Sequence, residues 1–232
     1  MKDAFRVWRE RDLSSEAIVY LFLDGFCLGV RQGTRGKEAV LVTHGINRGG
    51  KRVVLHLSLG GRESADSWKS VLHYLEGRGL KPPQLIISDG NPGLLRAICD
   101  AWPELPRQRC IVHRMWNVLA RVPKKRQAEV KRVLHRIFHA ACLDDAQAEA
   151  NHFLARYGRQ FPTATEILTK HLGECLTFYR FPEHDWKNIR STNALERAFK
   201  EVRRRTNVIG RFPAETAALA VVFGILEEEH LK

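Results

Sequence analysis

The sequence predicts an α/β fold, in which helices flank a mixed five-stranded sheet and an all-helical insertion precedes the last two helices. Three observations support this prediction. The first part of the chain holds short runs of β-branched and aromatic residues separated by turn residues. A single continuous apolar run then lies between two helical segments, and most of the second half has helical periodicity. This order is typical of a helix-covered sheet that an insertion interrupts.

The first three strands are predicted over residues 18–31, 38–46 and 52–59. Each run is rich in β-branched and aromatic side chains, and the sequence NRGG at 47–50 is a turn signal between the second run and the third. Short strands joined by such turns form an antiparallel meander.

The following segments alternate between helix and strand. Residues 64–77 place apolar side chains at helical spacing, with Ser64 or Asp66 available to cap the first turn. Residues 84–88 are continuously apolar, as in buried parallel strands. The remaining predictions are a helix over 94–99, a strand over 108–112, helices from 113 to about 180, and two final helices over 192–205 and 213–230.

The chain of 232 residues carries a formal net charge of +12, and its charges are segregated. Residues 106–136 contain ten Lys or Arg and one Glu, and residues 187–211 contain eight Lys or Arg and two Glu. A basic balance of this size indicates a polyanionic partner such as DNA. For either run alone, a well-solvated helix face explains the composition equally well.

The composition also indicates where the protein acts. Its five cysteines are an odd number without a Cys-x2-Cys pair, which predicts a reducing compartment rather than a disulfide framework. The N-terminal residues lack the apolar core of a signal peptide, and no apolar run approaches the length of a membrane span. We therefore expect a cytoplasmic protein with no membrane partner.

Three acidic residues are unusual for their surroundings. Asp24 lies in the apolar run LFLDG and Asp89 ends the run LIISDG, whereas Glu196 lies in a predicted helix rich in arginine. Carboxylates at neighbouring strand ends repel each other unless a cation holds them ionised, and Mg²⁺ prefers such ligands. The pattern predicts a divalent-metal site that acts on a phosphate backbone. The local alternatives are turns at the two Asp-Gly pairs and a capping box formed by Asn193 and Glu196.

Longer motifs relate the chain to a known family. From about residue 20 it resembles the catalytic part of Mutator-type bacterial insertion-sequence transposases. Asp24 and Asp89 are 65 residues apart and Glu196 follows 107 residues later, which fits the family pattern. The matching stretches are YLFLDGFCLGVR, LIISDGNPGLLRAI, QRCIVHRMWNVLARVPK and IRSTNALERAFKEVRRRTNVIGRFP.

This resemblance implies a ribonuclease H-like fold and a Mg²⁺-dependent enzyme that cleaves DNA and transfers the strands at insertion-sequence ends. It implies that Asp24, Asp89 and Glu196 are the catalytic acids, and that they hold two Mg²⁺ or Mn²⁺ ions. The expected partners are DNA, as transposon ends and target, and further copies of the chain assembled on that DNA in the bacterial nucleoid. No small-molecule substrate is expected.

The family also has a Cys-x2-His motif, which Cys110 and His113 match, and a tryptophan ahead of the last catalytic helix, which Trp186 matches. The same Cys and His are followed by His135 and His139, two imidazoles on one helical face. These four side chains leave a zinc site as an open alternative, although the pattern lacks the usual pair of cysteines.

The last catalytic helix is expected to bind the DNA backbone. Its cations fix the register on the phosphates without reading bases. Trp116 and Trp102 lie beside basic residues, so they either stack on bases of an opened DNA end or pack in the core. The predicted phosphate ligands are Arg197, Lys200, Arg203, Arg204 and Arg205.

Four segments are predicted: an N-terminal remnant over 1–17, the first part of the ribonuclease H-like core over 18–113, the helical insertion over 114–185, and the helices that complete the core over 186–232. Family members carry a substantial N-terminal part with a helix-turn-helix region that reads the terminal repeats. Because the first catalytic strand here lies close to Met1, we expect a truncated transposase. The alternative is a non-catalytic remnant that binds DNA or oligomerises and modulates a full-length transposase.

Overall fold

A computed structural model describes residues 2–28, 38–60, 63–209, 212 and 214–230, with the backbone alone for residues 2, 229 and 230. Five strands form one mixed sheet in the order β3-β2-β1-β4-β5. The strands are β1 (Ile18–Leu28), β2 (Glu38–Asn47), β3 (Arg52–Gly60), β4 (Leu85–Ser88) and β5 (Arg107–Arg109).

The predicted antiparallel meander is confirmed. β1 pairs with β2 so that Asp24 lies opposite Val42, and β2 pairs with β3 in the same antiparallel sense. The Gln84 N–H donates to the Val19 carbonyl at 2.8 Å, beside the start of β4. β1 is therefore the central strand. Residues 29–31 of the first predicted strand lie outside the described residues.

Helices make up most of the remaining structure. Two short 3₁₀ turns, Thr177–Arg180 and Asn207–Ile209, follow α8 and α10. The helices are α1 (Lys2–Glu10), α2 (Ala65–Gly77), α3 (Pro92–Ala101), α4 (Ile111–Leu119), α5 (Lys124–Phe138), α6 (Leu143–Tyr157), α7 (Pro162–Lys170), α8 (Leu172–Cys175), α9 (Glu183–Ile189), α10 (Asn193–Thr206) and α11 (Glu215–His230).

Two differences from the sequence prediction have local causes. The fifth strand ends at Arg109 rather than 112, because Cys110 precedes the first turn of α4 and the next residues are helical. The N-terminal segment, expected only as a charged remnant, forms α1, whose Phe5 is buried. The long charged side chains of this segment mask its single apolar stripe.

The contacts divide the chain into two compact units. The first comprises Met1–Ile86, Gly90–Pro106 and Asn193–Lys232, and the second comprises Ile87–Asp89 and Arg107–Thr192. The predicted helical insertion, 114–185, falls within the second unit. The division of the chain into the four segments 1–17, 18–113, 114–185 and 186–232 stays a prediction. Among the described residues, no helix combines the length and apolar character needed to cross a membrane.

In the first unit, helices pack on both faces of the meander. Leu21 and Leu23 of β1 join a buried cluster with Trp68 of α2 and Ile98 of α3. On the opposite face Phe26 contacts Phe199 of α10, with ring centroids 4.5 Å apart. Because successive residues of a strand point to opposite faces, β1 is covered by apolar layers on both sides.

The second unit combines an apolar helix pair with buried polar anchors. The buried face of α5 packs on α6, which contributes Phe153 and Tyr157. The Gln108 side chain donates to the Cys175 carbonyl at 2.9 Å and accepts the Phe178 N–H at 2.8 Å. Such anchors satisfy backbone groups at the end of α8 and in the 3₁₀ turn that follows it.

A buried arginine joins α1 to the meander within the first unit. The Arg78 guanidinium donates to the carbonyls of Leu55, Arg11 and Trp8, at 2.9, 2.9 and 3.3 Å. Burial, together with a smaller contribution from the neighbouring Arg11, lowers the Arg78 pKa to about 10. The side chain therefore stays charged at neutral pH.

The substitution Arg78→Met should lower the free energy of unfolding by about 3 kcal/mol, because three buried carbonyl groups would lose their donor. Arg78→Lys should restore only part of this stability, since one ammonium cannot reach all three acceptors. Urea unfolding of the full chain measures both. Lys81→Met at an exposed position is the control, with an expected change within about 0.5 kcal/mol. An equally small change for Arg78→Met would contradict this role.

Candidate active site

Asp24 is a buried acid on the central strand. It is 6% exposed and lies between Phe22 and Phe26, on the face of β1 opposite the α2–α3 cluster. Its Oδ1 accepts the N–H of Gly25 at 2.8 Å. The strand thus presents one carboxylate within an otherwise apolar face.

Glu196 lies on the helix that covers this face of β1. The buried side of α10 is formed by Leu195, Ala198, Phe199 and Val202, and Glu196 is half-buried beside them. Since Phe199 contacts Phe26, α10 packs on the side of β1 from which Asp24 projects. The structure therefore places these two predicted site residues on facing elements of the first unit.

Asp89 belongs to the second unit, where it follows the last residue of β4. The Ser88 carbonyl accepts the Cys110 N–H at 2.7 Å, so the ends of β4 and β5 are joined there. Asp89 is half-buried. Burial lowers the pKa of the nearby Arg109 guanidinium, and the negative charge of Asp89 opposes part of that shift. Glu174 also lies near Arg109, with 3.4 Å between Oε2 and Nε. The acid at the end of β4 thus has a cation beside it.

Cys110 acts as a structural anchor for the segment ahead of α10. Its sulfur accepts from the Thr192 N–H at 3.4 Å and from the Thr192 hydroxyl at 3.5 Å. The Ile111 N–H donates to the Arg190 carbonyl at 3.1 Å. The capping-box alternative requires Asn193 to be the residue just before the helix. In the structure α10 begins at Asn193, so Asn193 is instead its first residue.

The structure brings together two of the four side chains of the zinc alternative. A ring nitrogen of His113 lies within 4.8 Å of the Cys110 sulfur. His135 and His139 instead lie against each other, with ring centroids 4.9 Å apart. Within the described ranges, neither of these two histidines joins a group of three or more possible metal ligands.

The three tryptophans of interest have different environments. Trp102 is 7% exposed and belongs to the core cluster, which settles its role as packing, whereas Trp116 is 54% exposed. The Trp116 ring meets His113 edge to face, with centroids 5.2 Å apart. Trp186 donates from Nε1 to the Phe181 carbonyl at 2.7 Å, so it secures the chain ahead of α9.

The cations of α10 divide into two groups. Arg204 and Arg205 bind Glu201, and Arg205 also binds Glu228, at distances of 2.6–2.8 Å. The Arg204 and Arg205 hydrogen bonds lower the Glu201 pKa to about 2, so this acid stays ionised at neutral pH. Arg197, Lys200 and Arg203 are exposed to solvent.

Sequence reasoning did not single out Glu63, which lies ahead of α2. Its Oε2 accepts from the Asn91 side chain at 3.2 Å, and the Asn91 Oδ1 in turn caps α3. A Cβ atom added at Gly25 would collide with the Glu63 carboxylate. The glycine after Asp24 therefore leaves room for the Glu63 carboxylate, which binds Asn91 at the start of α3, a contact that no local pattern reveals.

The predicted acids fit a divalent cation in their chemistry. Carboxylate oxygens are the donors that Mg²⁺ and Mn²⁺ prefer. A carboxylate as buried as Asp24 is costly in an apolar layer unless positive charge or hydrogen bonds compensate it. Each of the three predicted acids carries such oxygens, so the chemistry of Asp24, Asp89 and Glu196 fits a divalent cation.

Comparisons with known proteins point to one family. A family model described as "Transposase, Mutator family" matches residues 1–232. The transposase for insertion sequence element ISRM5 of Rhizobium meliloti is 36% identical over 231 residues, covering 99% of this chain and 58% of the relative. The transposase for IS6120 of Mycolicibacterium smegmatis is 34% identical over 226 residues, covering 97% of this chain and 70% of the relative.

A third relative gives a similar result. The transposase for IST2 of Acidithiobacillus ferrooxidans is 37% identical over 197 residues, covering 84% of this chain and 67% of the relative. The chain thus spans between 58% and 70% of the length of these three relatives.

A double-mutant cycle tests the contact between Gly25 and Glu63. Alone, Gly25→Ala should destabilise the protein, because the new methyl group expels the Glu63 carboxylate from Asn91. In a Glu63→Ala background the same change should be neutral or stabilising, since alanine loses less conformational entropy than glycine. We expect a coupling of about 1–2 kcal/mol in urea unfolding of the four proteins.

Gly77→Ala is the matched control, since a Cβ there would meet nothing within 4 Å. Its effect should be the same with and without Glu63. Additivity of Gly25→Ala and Glu63→Ala within about 0.5 kcal/mol would show that the contact is absent.

Proposed function

Because this chain belongs to the Mutator family of transposases, we propose that it is the catalytic part of an insertion-sequence transposase, which cleaves DNA strands and joins them to a target. The observation that carries the proposal is the buried carboxylate of Asp24 on the central strand, with the Glu196 helix packed on the same strand face. Carboxylate oxygens are the ligands that Mg²⁺ and Mn²⁺ prefer, so two acids on facing elements of one unit support a divalent-metal site.

In this proposal Asp24, Asp89 and Glu196 are the ligands of two Mg²⁺ or Mn²⁺ ions. Such ions, when bound, activate the attacking water or DNA 3′-hydroxyl and stabilise the leaving oxygen at phosphorus. The N–H of Gly25 holds Asp24 in orientation through its Oδ1. The apolar layer around Phe22 and Phe26 excludes water from the buried side of that carboxylate.

The DNA contacts of α10 follow from its ion pairs. Arg197, Lys200 and Arg203 are exposed, so we propose that they bind backbone phosphates close to Glu196. Arg204 and Arg205 were predicted to do the same, and their bonds to Glu201 and Glu228 make them the weaker candidates. Phosphate contacts of this kind orient the duplex without reading its sequence.

The partners of the proposed enzyme are DNA, both as transposon ends and as target, and further copies of the chain. Two ends must be brought together for strand transfer, so we propose that the active species is a homo-oligomer assembled on DNA. The place of action would be the bacterial cytoplasm, at the nucleoid.

Isosteric substitution of each acid tests the proposal. Asp24→Asn, Asp89→Asn and Glu196→Gln should each lower Mn²⁺-dependent nicking and strand transfer of a precut DNA end by about 100-fold or more, since each removes one metal ligand. Calorimetric titration with Mn²⁺ should show weaker ion binding for each variant. Duplex DNA binding in EDTA should stay close to wild type.

Asp66→Asn, at an exposed acid on α2, is the matched control and should leave nicking and ion binding unchanged. Normal nicking by Asp89→Asn would overturn the assignment of the three acids. A wild-type chain that binds DNA yet gives no product with Mn²⁺ would overturn the catalytic proposal in favour of a DNA-binding modulator.

A further inference from the structure

The exposed face of α5 is a second strongly basic surface, and it lies wholly within the second unit. The opposite face of this helix is apolar and buried, with Val130, Leu134 and Ile137 at its centre. Four exposed cations lie on the solvent side of the helix, as two neighbouring pairs that are two turns apart. These residues, which we name the α5 stripe, are Lys124, Lys125, Lys131 and Arg132.

Among the residues that the structure describes, no carboxylate pairs with the α5 stripe. Glu129, the single acid of α5, accepts instead from Arg126 at 2.7 Å, Arg156 at 2.6 Å and the Tyr157 hydroxyl at 2.8 Å. The bonds from Arg126 and then Tyr157 lower its pKa to about 2. Arg136 is bound to Glu149 at 3.0 Å.

Throughout the ranges that the structure describes, the four stripe cations form neither an ion pair nor a side-chain hydrogen bond. Protein surfaces usually intersperse both signs of charge, and like charges on one helix face repel. A face that keeps four uncompensated cations is therefore suited to an anionic partner with regularly spaced charges.

The geometry of the α5 stripe favours duplex DNA. Lys124 and Lys131, like Lys125 and Arg132, are two turns apart, which is about 10 Å along the helix axis. The two neighbouring pairs can therefore contact separate phosphates of one duplex. The α5 face exposes no Phe, Tyr or Trp side chain on which an unpaired base could stack, and stacking is how single strands are held.

His139, which follows α5, adds no charge to the stripe. Burial lowers its pKa to about 4, with smaller contributions in the same direction from Arg190 and His135, so its imidazole is neutral at pH 7. The four stripe cations are therefore the charges that a phosphate backbone would meet on this face.

We propose that the α5 stripe binds the sugar–phosphate backbone of duplex DNA without sequence preference, as a surface separate from the α10 cations. This inference rests on the proposed function, which supplies DNA as the partner, and it identifies where the helical unit engages that partner. The residues act as point charges, so their contribution is electrostatic and comes from counterion release.

The salt dependence of binding tests the proposal. Anisotropy titrations of the full chain with a 30-bp duplex in EDTA, between 50 and 200 mM KCl, give the slope of log K against log salt. One variant changes all four stripe residues, Lys124, Lys125, Lys131 and Arg132, to Gln. The magnitude of its slope should be smaller than wild type by about 3–4, and its affinity for the duplex at 100 mM KCl should be roughly 10- to 100-fold lower. Lys124→Gln with Lys131→Gln should give about half of this change, and Lys→Arg changes should give none.

A matched variant removes four other exposed cations of the second unit, so that both variants lose the same net charge. It changes Arg159, Lys170, Arg180 and Lys187 to Gln. Its slope should stay within about 1 of wild type. Circular dichroism and thermal melting should be the same for all variants, because every changed side chain is exposed.

Equal slopes for the stripe variant and the matched variant would overturn the proposal. A larger loss with single-stranded DNA or duplex RNA than with duplex DNA would overturn the choice of partner. The assay needs no metal and no cleavage, and Asp24→Asn should keep the wild-type slope. A stripe effect in a chain that never cuts DNA would therefore leave this inference intact while the catalytic proposal fails.

Discussion

The central constraint on this structure is that one carboxylate must be kept on a strand that is apolar on both faces. Asp24 is 6% exposed on β1, with leucines packed on α2 and α3 behind it and α10 packed in front. Burying a charge in such a layer is unfavourable, whereas burying the surrounding leucines and phenylalanines is favourable by about 1.5–3 kcal/mol each. The apolar layers therefore provide the stability that allows β1 to carry the acid, and they also fix which way it points.

Polar anchors of the second unit fix the chain up to Thr192, the residue before α10. Cys110 holds Thr192 through its sulfur, and the backbone of Ile111 holds Arg190. The chain is thus fixed at two points directly before α10, six and four residues ahead of Glu196. This contact gives Cys110 of the Cys-x2-His motif a structural role ahead of α10.

Much of the fold could be predicted from local patterns, whereas the site details depend on distant contacts. The antiparallel meander and the helices with strong apolar periodicity, such as residues 64–77, match the structure closely because burial repeats with the period of the element. The segment at 108–112 was mistaken for a full strand, since a short apolar run fits either state. Glu63 escaped detection because its partner Asn91 is 28 residues away, and the Glu228 that binds Arg205 is 23 residues away.

The two basic helices show why net charge alone does not identify a DNA-binding surface. On α10, Glu201 and Glu228 lie against Arg204 and Arg205, and the Glu201 pKa of about 2 means that this acid is ionised at any physiological pH. A cation already paired in this way releases fewer counterions when a phosphate arrives. On α5, by contrast, Glu129 is bound on the flank by Arg126 and Arg156, which leaves the exposed face with one sign of charge. The placement of the few acids therefore decides which of the many cations can serve a phosphate backbone.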